Sequence, residues 1–171
     1  ANACAFPGAA QTLVISDCAS ALRIAAGLGV RAMAQRSGPG LNRAAREGVD
    51  ALRRLGGERI LVLMADLPTV RPQDVRALAD RFADKVAVAI CPDKNGTGTN
   101  ALLIPNGATM QLCFGEASLV RHCREALRAG LVPRLHHDPR IALDIDTPSD
   151  LLEWLRAGHD GANGIVADAE L

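Results

Sequence analysis

The 171-residue chain carries no net charge and has few aromatic side chains. Lys and Arg together number 19, as do Asp and Glu, and aromatic residues make up only 2% of the chain. Nucleic acids and anionic membranes bind clustered excess positive charge, and base stacking needs aromatic platforms, so neither kind of partner is expected. The length suits a single domain over 1–171 with an aliphatic core.

The lengths of the apolar runs and the spacing of the cysteines indicate where in the cell the protein is expected. The longest apolar runs, 60–65 and 86–91, hold six residues each, whereas a membrane-spanning helix needs roughly 20. The five cysteines form no Cys-x-x-Cys pair, which favours reduced thiols. With no secretory-leader pattern at the start, we expect a soluble cytoplasmic protein.

Strand-like runs alternate with amphipathic helical stretches, a pattern typical of an α/β domain with a largely parallel sheet. Strands are predicted at residues 12–16, 30–34, 60–65, 86–91, 99–104 and 141–145. Helices are predicted at about residues 18–28, 41–55, 72–82, 119–129 and 148–156. Strand 60–65 is apolar on both faces, as expected of a central parallel strand.

Turn and capping residues mark several of these boundaries. Asp17 is placed to cap the first helix, and Thr147 to Asp150 form a capping box with Pro148 in the first helical position. An Asn-Gly pair at 95–96 predicts a tight reversal between the two strands around it. Residues 158–171 are expected to be a loose tail.

Three carboxylates are the first candidates for a functional site. Asp66 follows strand 60–65, and the carboxyl ends of strands are where open α/β sheets bind ligands. Asp144 and Asp146 lie two apart in a predicted strand, so both side chains leave the same face. Oxygen ligands of this kind suit Mg²⁺. The alternative for each residue is a simple capping role.

Two glycine-containing loops are candidates for binding anions. The segment 95–100 combines glycines with threonines, and the segment 115–118 opens a predicted helix at Ser118. Backbone N–H groups in such loops, and at helix N-termini, can hold a carboxylate or a phosphate. A hairpin turn and an ordinary N-cap explain the same residues without a ligand. The four histidines form no ligand spacing with the cysteines, so zinc is not expected.

Four motifs in order resemble the 2-phospho-L-lactate guanylyltransferase family of coenzyme F-420 biosynthesis. They are Asp-Leu-Pro at 66–68, Asp-Lys-Asn-Gly-Thr-Gly-Thr-Asn-Ala-Leu-Leu at 93–103, Phe-Gly-Glu-Ala-Ser at 114–118 and Asp-Ile-Asp-Thr-Pro-Ser-Asp-Leu at 144–151. The resemblance also includes the turn at 40–42 and covers about residues 13–155.

The resemblance implies a GT-A-like nucleotidyltransferase fold, a three-layer α/β/α sandwich with a mixed, mainly parallel sheet. It implies transfer of GMP from GTP to 2-phospho-L-lactate, phosphoenolpyruvate or 3-phosphoglycerate, with release of pyrophosphate. The residues it implies fall into three groups. Asp66, Asp144 and Asp146 would hold Mg²⁺, Thr99, Gly115 and Ser118 would bind the acceptor, and Asn42 would lie on the guanosine side.

One family feature is missing from this sequence. Family members open with a strand, a basic glycine-containing loop and a helix that grip GTP, and no such unit precedes Leu13. We therefore expect the 171 residues to bind GTP poorly. Two other functions stay open: a molybdopterin-type or sugar-phosphate nucleotidyltransferase with the same fold, and a non-catalytic domain that binds a phosphorylated acid.

Overall fold

A computed structural model describes residues 8–82 and 84–156, which form an α/β structure. Its strands are β1 (Leu13–Ser16), β2 (Arg31–Ala34), β3 (Arg59–Leu63), β4 (Ala87–Pro92), β5 (Thr99–Pro105) and β6 (Val132–Leu135). Its helices are α1 (Ala19–Gly27), α2 (Leu41–Arg53), α3 (Pro72–Arg81), α4 (Ser118–Arg128), α5 (Pro139–Ala142) and α6 (Pro148–Arg156). None of the helices in these ranges is long and apolar enough to cross a membrane.

The strands form two sheets, a small parallel one and a larger mixed one. β1 and β2 pair in parallel as a two-stranded sheet, and the other sheet has the order β3-β5-β4-β6. In the larger sheet β5 is antiparallel to both β3 and β4, and β6 is parallel to β4. The α/β class and a mixed sheet are therefore confirmed, although parallel pairings do not predominate among the described strands.

The alternation of side chains on β4 and β5 divides the core into two layers. Val88 and Ile90 belong to one buried cluster, whereas Ala89 and Cys91 belong to the other. Because neighbouring residues of a strand point to opposite faces, the clusters lie on the two sides of the sheet. Helices α2 and α4 contribute to the first cluster, and α3 and α5 contribute to the second.

Three local predictions are wrong. Strand 60–65 is not a central parallel strand: β3 pairs only with β5 among the described strands, and that pairing is antiparallel. Residues 141–145 do not form a strand, because Asp138 caps the short helix α5 and the chain then continues as a loop. Asp17 does not cap α1, whose N-cap residue is Cys18.

Apart from the N-cap of α4, the remaining boundaries agree with the sequence patterns or extend them. The capping box before α6 is confirmed, since Thr147 and Asp150 exchange hydrogen bonds of 2.8 and 3.2 Å. Strand β6 was not predicted. Ser118 is the first residue of α4 and Ala117 its N-cap, so the ordinary N-cap reading of Ser118 is wrong. The predicted tail at 158–171 lies outside the described residues.

Candidate functional site

The strand register gathers the predicted site residues at one edge of the larger sheet. Leu63, the last residue of β3, is paired with Ala101, near the start of the antiparallel strand β5. Asp66 therefore leaves the sheet at the edge where Thr99 enters it. Met64 continues this pairing, since its N–H donates to the Asn100 carbonyl at 3.0 Å.

The loop that carries Asp144 and Asp146 is fastened to the same edge. The Ile145 N–H donates to the Asp66 carbonyl at 3.1 Å. The Asn100 side-chain amide donates to the carbonyl of Ile141 at 3.0 Å, just before the loop. Asn100 is buried, so β5 holds the start of this loop through a water-excluded hydrogen bond.

An ion pair between the half-exposed Arg140 and the buried Asp74 supports this loop. The Arg140 guanidinium donates two hydrogen bonds to the two oxygens of Asp74, at 2.9 and 2.8 Å. Asp74 is 3% exposed, and although burial alone raises its pKa, the hydrogen bonds and charge of Arg140 hold that pKa below the usual value. Thr69 adds a hydroxyl bond to the Arg140 carbonyl at 2.9 Å. The site loop is thus anchored to α3.

The three carboxylates are near enough to influence one another electrostatically. Desolvation raises the pKa of Asp66, and the negative charges of Asp146 and Asp144 raise it further. Asp66 is partly desolvated but still reaches solvent, and Asp146 is exposed. In the described part of the chain no three Asp, Glu, His or Cys side chains are gathered closely enough to hold a metal ion. The structure thus assembles a zone of negative charge without closing it into a metal cage.

Asp150 shapes the end of this loop. One of its oxygens accepts hydrogen bonds from the Asp146 and Thr147 N–H groups, at 3.2 and 2.8 Å. Its other oxygen pairs with the Lys94 ammonium. Mainly because of the bond from Lys94, the pKa of the Asp150 carboxyl is well below its usual value. The salt bridge between Lys94 and Asp150 therefore links the loop at 93–98 to the loop that carries Asp144 and Asp146.

Thr99 is positioned by a histidine that the sequence patterns did not single out. His122 is fully buried, and its Nε2 accepts a hydrogen bond from the Cys113 N–H at 2.9 Å. Its Nδ1 lies 3.0 Å from the Thr99 hydroxyl. Because the Cys113 N–H can only donate, a neutral ring carries its proton on Nδ1 and donates it to Thr99. The Thr99 hydroxyl hydrogen is then left to donate to another acceptor.

The surroundings of His122 favour that neutral ring. Burial, with a smaller contribution from the charge of the neighbouring Arg121, lowers the pKa of His122 to about 4. The Phe114 ring packs edge-on against the imidazole, with the ring centroids 4.7 Å apart. In the sequence His122 stands four residues after Ser118, which places both on one face of α4. That spacing is the signal that could have found it.

The loop before α4 is held by Asn42. The Phe114 N–H donates to the Asn42 side-chain oxygen at 2.7 Å, and the Asn42 amide donates to the Phe114 carbonyl at 3.0 Å. The loop then turns through Gly115 at φ 101° and Ala117 at φ 51° into Ser118, which is 1% exposed. A positive φ costs a non-glycine residue about 1 kcal/mol or more, so Ala117 is a strained residue beside the candidate site.

The glycine-containing loop at 93–98 is organised by its own aspartate. Asp93 accepts hydrogen bonds from the N–H groups of Thr97 and Gly98, both at 2.8 Å. These two N–H groups are therefore already engaged. The Thr97 carbonyl accepts from the Leu119 N–H at 3.1 Å, which ties the loop to the first turn of α4. The loop thus acts as a support for Thr99, in line with the hairpin-turn explanation.

The fold and this edge define an α/β protein whose site sets carboxylates beside loops suited to an anionic ligand. The chain belongs to the family described as "Guanylyl transferase CofC like", whose model matches residues 5–163. The resemblance found in the sequence motifs is thereby confirmed.

Several curated proteins are similar to this chain. A phosphoenolpyruvate guanylyltransferase of Conexibacter woesei is 38% identical over 146 residues, which cover 84% of this chain and 65% of that protein. One of Rubrobacter xylanophilus is 37% identical, covering 88% and 73%. A 2-phospho-L-lactate guanylyltransferase of Methanosarcina mazei is 33% identical, covering 64% and 50%. The chain thus spans about half to three quarters of the length of these relatives.

Proposed function

We propose that the protein transfers GMP from GTP to a small phosphorylated carboxylic acid and so supplies a building block of coenzyme F-420. The observation that carries this proposal is the position of the family's motifs: the strand register and the loop hydrogen bonds bring all of them to one sheet edge. Proteins named phosphoenolpyruvate guanylyltransferase and 2-phospho-L-lactate guanylyltransferase are both among the relatives. These two acids, together with the 3-phosphoglycerate that the family resemblance adds, are the acceptors we propose.

The reaction balances without a protein base. A phosphate oxygen of the acceptor, already anionic near pH 7, attacks the α-phosphorus of GTP. The bond between that phosphorus and the oxygen bridging to the β-phosphate breaks, and pyrophosphate leaves with the electron pair. The protein has to align two polyanions and offset their repulsion. The proposed reaction therefore needs no histidine in the loop that carries Asp144 and Asp146.

The carboxylate of the acceptor would be bound opposite the loop that carries Asp144 and Asp146. The Thr99 hydroxyl, whose hydrogen is freed by the bond from His122, supplies one donor. Gly115 and the Ser118 hydroxyl lie at the start of α4, where the helix dipole favours negative charge, whereas the Ser118 N–H already donates to the Gly115 carbonyl at 3.1 Å. His122 and Asn42 act through Thr99 and the loop at 113–115, so both are positioning residues in this account.

Asp66, Asp144 and Asp146 would hold Mg²⁺. The fit rests on their chemistry: desolvation and, to a smaller extent, the charges of Asp146 and Asp144 raise the pKa of Asp66, a cation would offset both effects, and carboxylate oxygens suit Mg²⁺. Mg²⁺ uses one or two carboxylates and completes its shell with water and phosphate oxygens, so a closed protein cage is not required. When bound, the ion would neutralise charge on the phosphates.

Asn42 was predicted to lie on the guanosine side, and we keep that role as a secondary proposal. Its oxygen and its amide each make one hydrogen bond to Phe114. An amide has a second lone pair and a second hydrogen, so a base could bind without breaking this pair.

Calorimetry on the 171-residue chain tests the acceptor site separately from the nucleotide site. Phosphoenolpyruvate, 2-phospho-L-lactate and 3-phosphoglycerate are titrated with MgCl₂ and with EDTA. We expect at least one acid to bind, about tenfold more weakly in EDTA, and Asp144→Asn to remove the metal dependence. Asp80→Asn, the same change on the exposed side of α3, is the matched control and should bind normally. If no acid binds, or if the control weakens binding equally, the proposed acceptor site is wrong.

A further inference from the structure

A cavity of about 470 Å³ opens beside β6, the last strand in the order of the larger sheet. It is lined by the end of α3, the segment after it, β4 and β6, through Arg81, Phe82, Asp84, Ala87, Arg134 and Leu135. Ala87 begins β4, whereas Pro92, at its other end, pairs with Thr99 of the candidate site. The length of β4 therefore separates the cavity from that site by about 16 Å. A cavity of this volume can hold a small organic molecule.

Two arginines give the cavity an excess of positive charge. Arg81 and Arg134 are both exposed, and within residues 8–82 and 84–156 neither guanidinium makes a hydrogen bond or an ion pair. Arg81 lies over the Phe82 ring, 5.6 Å from its centroid. Arg59 already donates to the Ala79 and Phe82 carbonyls at the end of α3. Arg81 is therefore not needed to cap this helix, and both guanidinium groups are available to an anion.

Asp84 adds a hydrogen-bond acceptor to the same wall. Its Oδ1 accepts from the Val86 N–H at 3.0 Å. In the described part of the chain Asp84 forms no ion pair with either arginine of the cavity. Its second oxygen can accept from a hydroxyl group but repels a bare oxyanion. The cavity thus suits a ligand that combines an anionic group with hydrogen-bond donors.

A buried histidine beside the cavity lacks a hydrogen-bond partner for its ring. His136 is 8% exposed, and neither ring nitrogen makes a hydrogen bond to any of the residues that the structure describes. The His136 N–H continues the strand pairing by donating to the Ile90 carbonyl at 3.0 Å, so His136 lies on the same face of the sheet as Arg134. Its ring packs edge-on against Phe82, with the centroids 5.7 Å apart. Because buried polar groups are nearly always hydrogen-bonded, the bare imidazole points to a partner that enters from the cavity.

We propose that this cavity binds a small organic phosphate that also carries hydroxyl groups, such as a sugar phosphate. Arg81 and Arg134 would bind the phosphate, whose three terminal oxygens can serve two planar guanidinium groups at once. The second oxygen of Asp84 would accept from a hydroxyl group of the ligand. His136 would donate from the inner end of the cavity, directly or through one water. None of these residues takes part in the proposed reaction, so the proposal stands or falls separately from the proposed function.

Calorimetry with ribose 5-phosphate tests the class of ligand. The 171-residue chain is titrated with ribose 5-phosphate, with methyl phosphate and ribose, which each lack one half of it, and with gluconate, which carries a carboxylate instead. We expect ribose 5-phosphate to bind at least about tenfold more tightly than each of the other three, because only it engages both kinds of group. Absence of ribose 5-phosphate binding, or equal binding of any of the other three compounds, would overturn the proposed ligand class.

A pair of arginine variants tests the place of binding. Arg134→Gln should weaken ribose 5-phosphate binding at least about tenfold, because a charge-assisted contact is lost. Its melting temperature should stay that of wild type, since the Arg134 side chain has no hydrogen bond to lose within the described residues. Arg46→Gln, the same change on the exposed side of α2, is the matched control and should bind normally. Equal binding by Arg134→Gln and Arg46→Gln would overturn the proposed site.

The imidazole NMR signals of two buried histidines show where the phosphate binds. We expect ribose 5-phosphate to shift the His136 signals at concentrations that leave those of His122 unchanged, because His122 lies beside Thr99 and not beside the cavity. Shifts at His122 without shifts at His136 would overturn the proposal, since the phosphate would then lie in the candidate acceptor site. Shifts at His136 that follow protein concentration alone would also overturn it, because the occupant would then be a second copy of the chain.

Discussion

Replacing Asn42 by alanine should destabilise the protein far more than a typical surface substitution. The change removes two hydrogen bonds to Phe114, at 2.7 and 3.0 Å, each worth about 1 kcal/mol net. Phe114 is 4% exposed, so its N–H would lose its acceptor in a water-poor setting, at a further cost of about 1 kcal/mol. The expected loss in the free energy of unfolding is therefore about 2–3 kcal/mol.

Urea unfolding at pH 7 measures this loss, and Asn106→Ala is the matched control. Asn106 also donates from its side chain to a backbone carbonyl, that of Gly57 at 2.9 Å, but the bond is exposed. Its removal should cost about 0.5 kcal/mol. Equal losses for the two variants would refute the claim that Asn42 fastens the loop before α4.

Asn42→Asp adds a pH dependence whose sign follows from the same geometry. A carboxylate can still accept from the Phe114 N–H, but it places a second negative oxygen against the Phe114 carbonyl. Its protonated form restores the donor, so folding raises the pKa of the introduced carboxyl above its unfolded value of about 3.9. The stability deficit should be small near pH 4 and should grow as the pH rises toward 7.

Three further changes probe the supports of the site by urea unfolding. The stability advantage of wild type over His122→Leu should shrink by about 2.5 kcal/mol as the pH falls from 6.5 to 4, because burial keeps His122 neutral in the folded protein with its pKa lowered to about 4; an unchanged gap would contradict the neutral, buried imidazole. Asp74→Asn should cost about 1–2 kcal/mol, because it weakens a pair in which Asp74 is buried but the Arg140 side chain is 42% exposed. Glu58→Gln, in an exposed pair at 4.0 Å, should cost under about 0.5 kcal/mol. Gly98→Ala, whose Cβ would lie 3.1 Å from the Asp93 carboxyl group, should cost about 1–3 kcal/mol; a cost no greater than that of Gly107→Ala, which meets open space, would show that the loop is not tightly packed there.

The helices of nine or more residues and the inner strands could be predicted because the periodic spacing of their apolar residues is clear in the sequence. The run 86–91 and the buried strand 99–104 are confirmed within a residue as β4 and β5. Strand β6 lacks such a signal, since Val132 and Leu135 are exposed and a proline interrupts it. The strand-like pattern at 141–145 was misleading, because the Asp138 cap and Pro139 start a helical turn there.

The sequence identified individual candidate residues of the site, but it did not show how the fold brings them together. The motifs identified the carboxylates and the loops, yet the strand argument for Asp144 and Asp146 was wrong even though the loop brings them near Asp66. Contacts between distant segments, such as Asn42 with Phe114, leave no periodic trace in a sequence. The place of β3 in the sheet depends on the strands with which it pairs, and its own apolar run does not specify those partners.

Transfer of label from GTP labelled at its α-phosphate tests the central claim most directly. The gene product that contains this chain would be incubated with Mg²⁺ and with each of the three phosphorylated acids. We predict a labelled guanylylated acid and one pyrophosphate per transfer, with the yield reduced at least about a hundredfold by Asp144→Asn. The account would be contradicted if no acid received label, or if CTP or UTP donated as well as GTP.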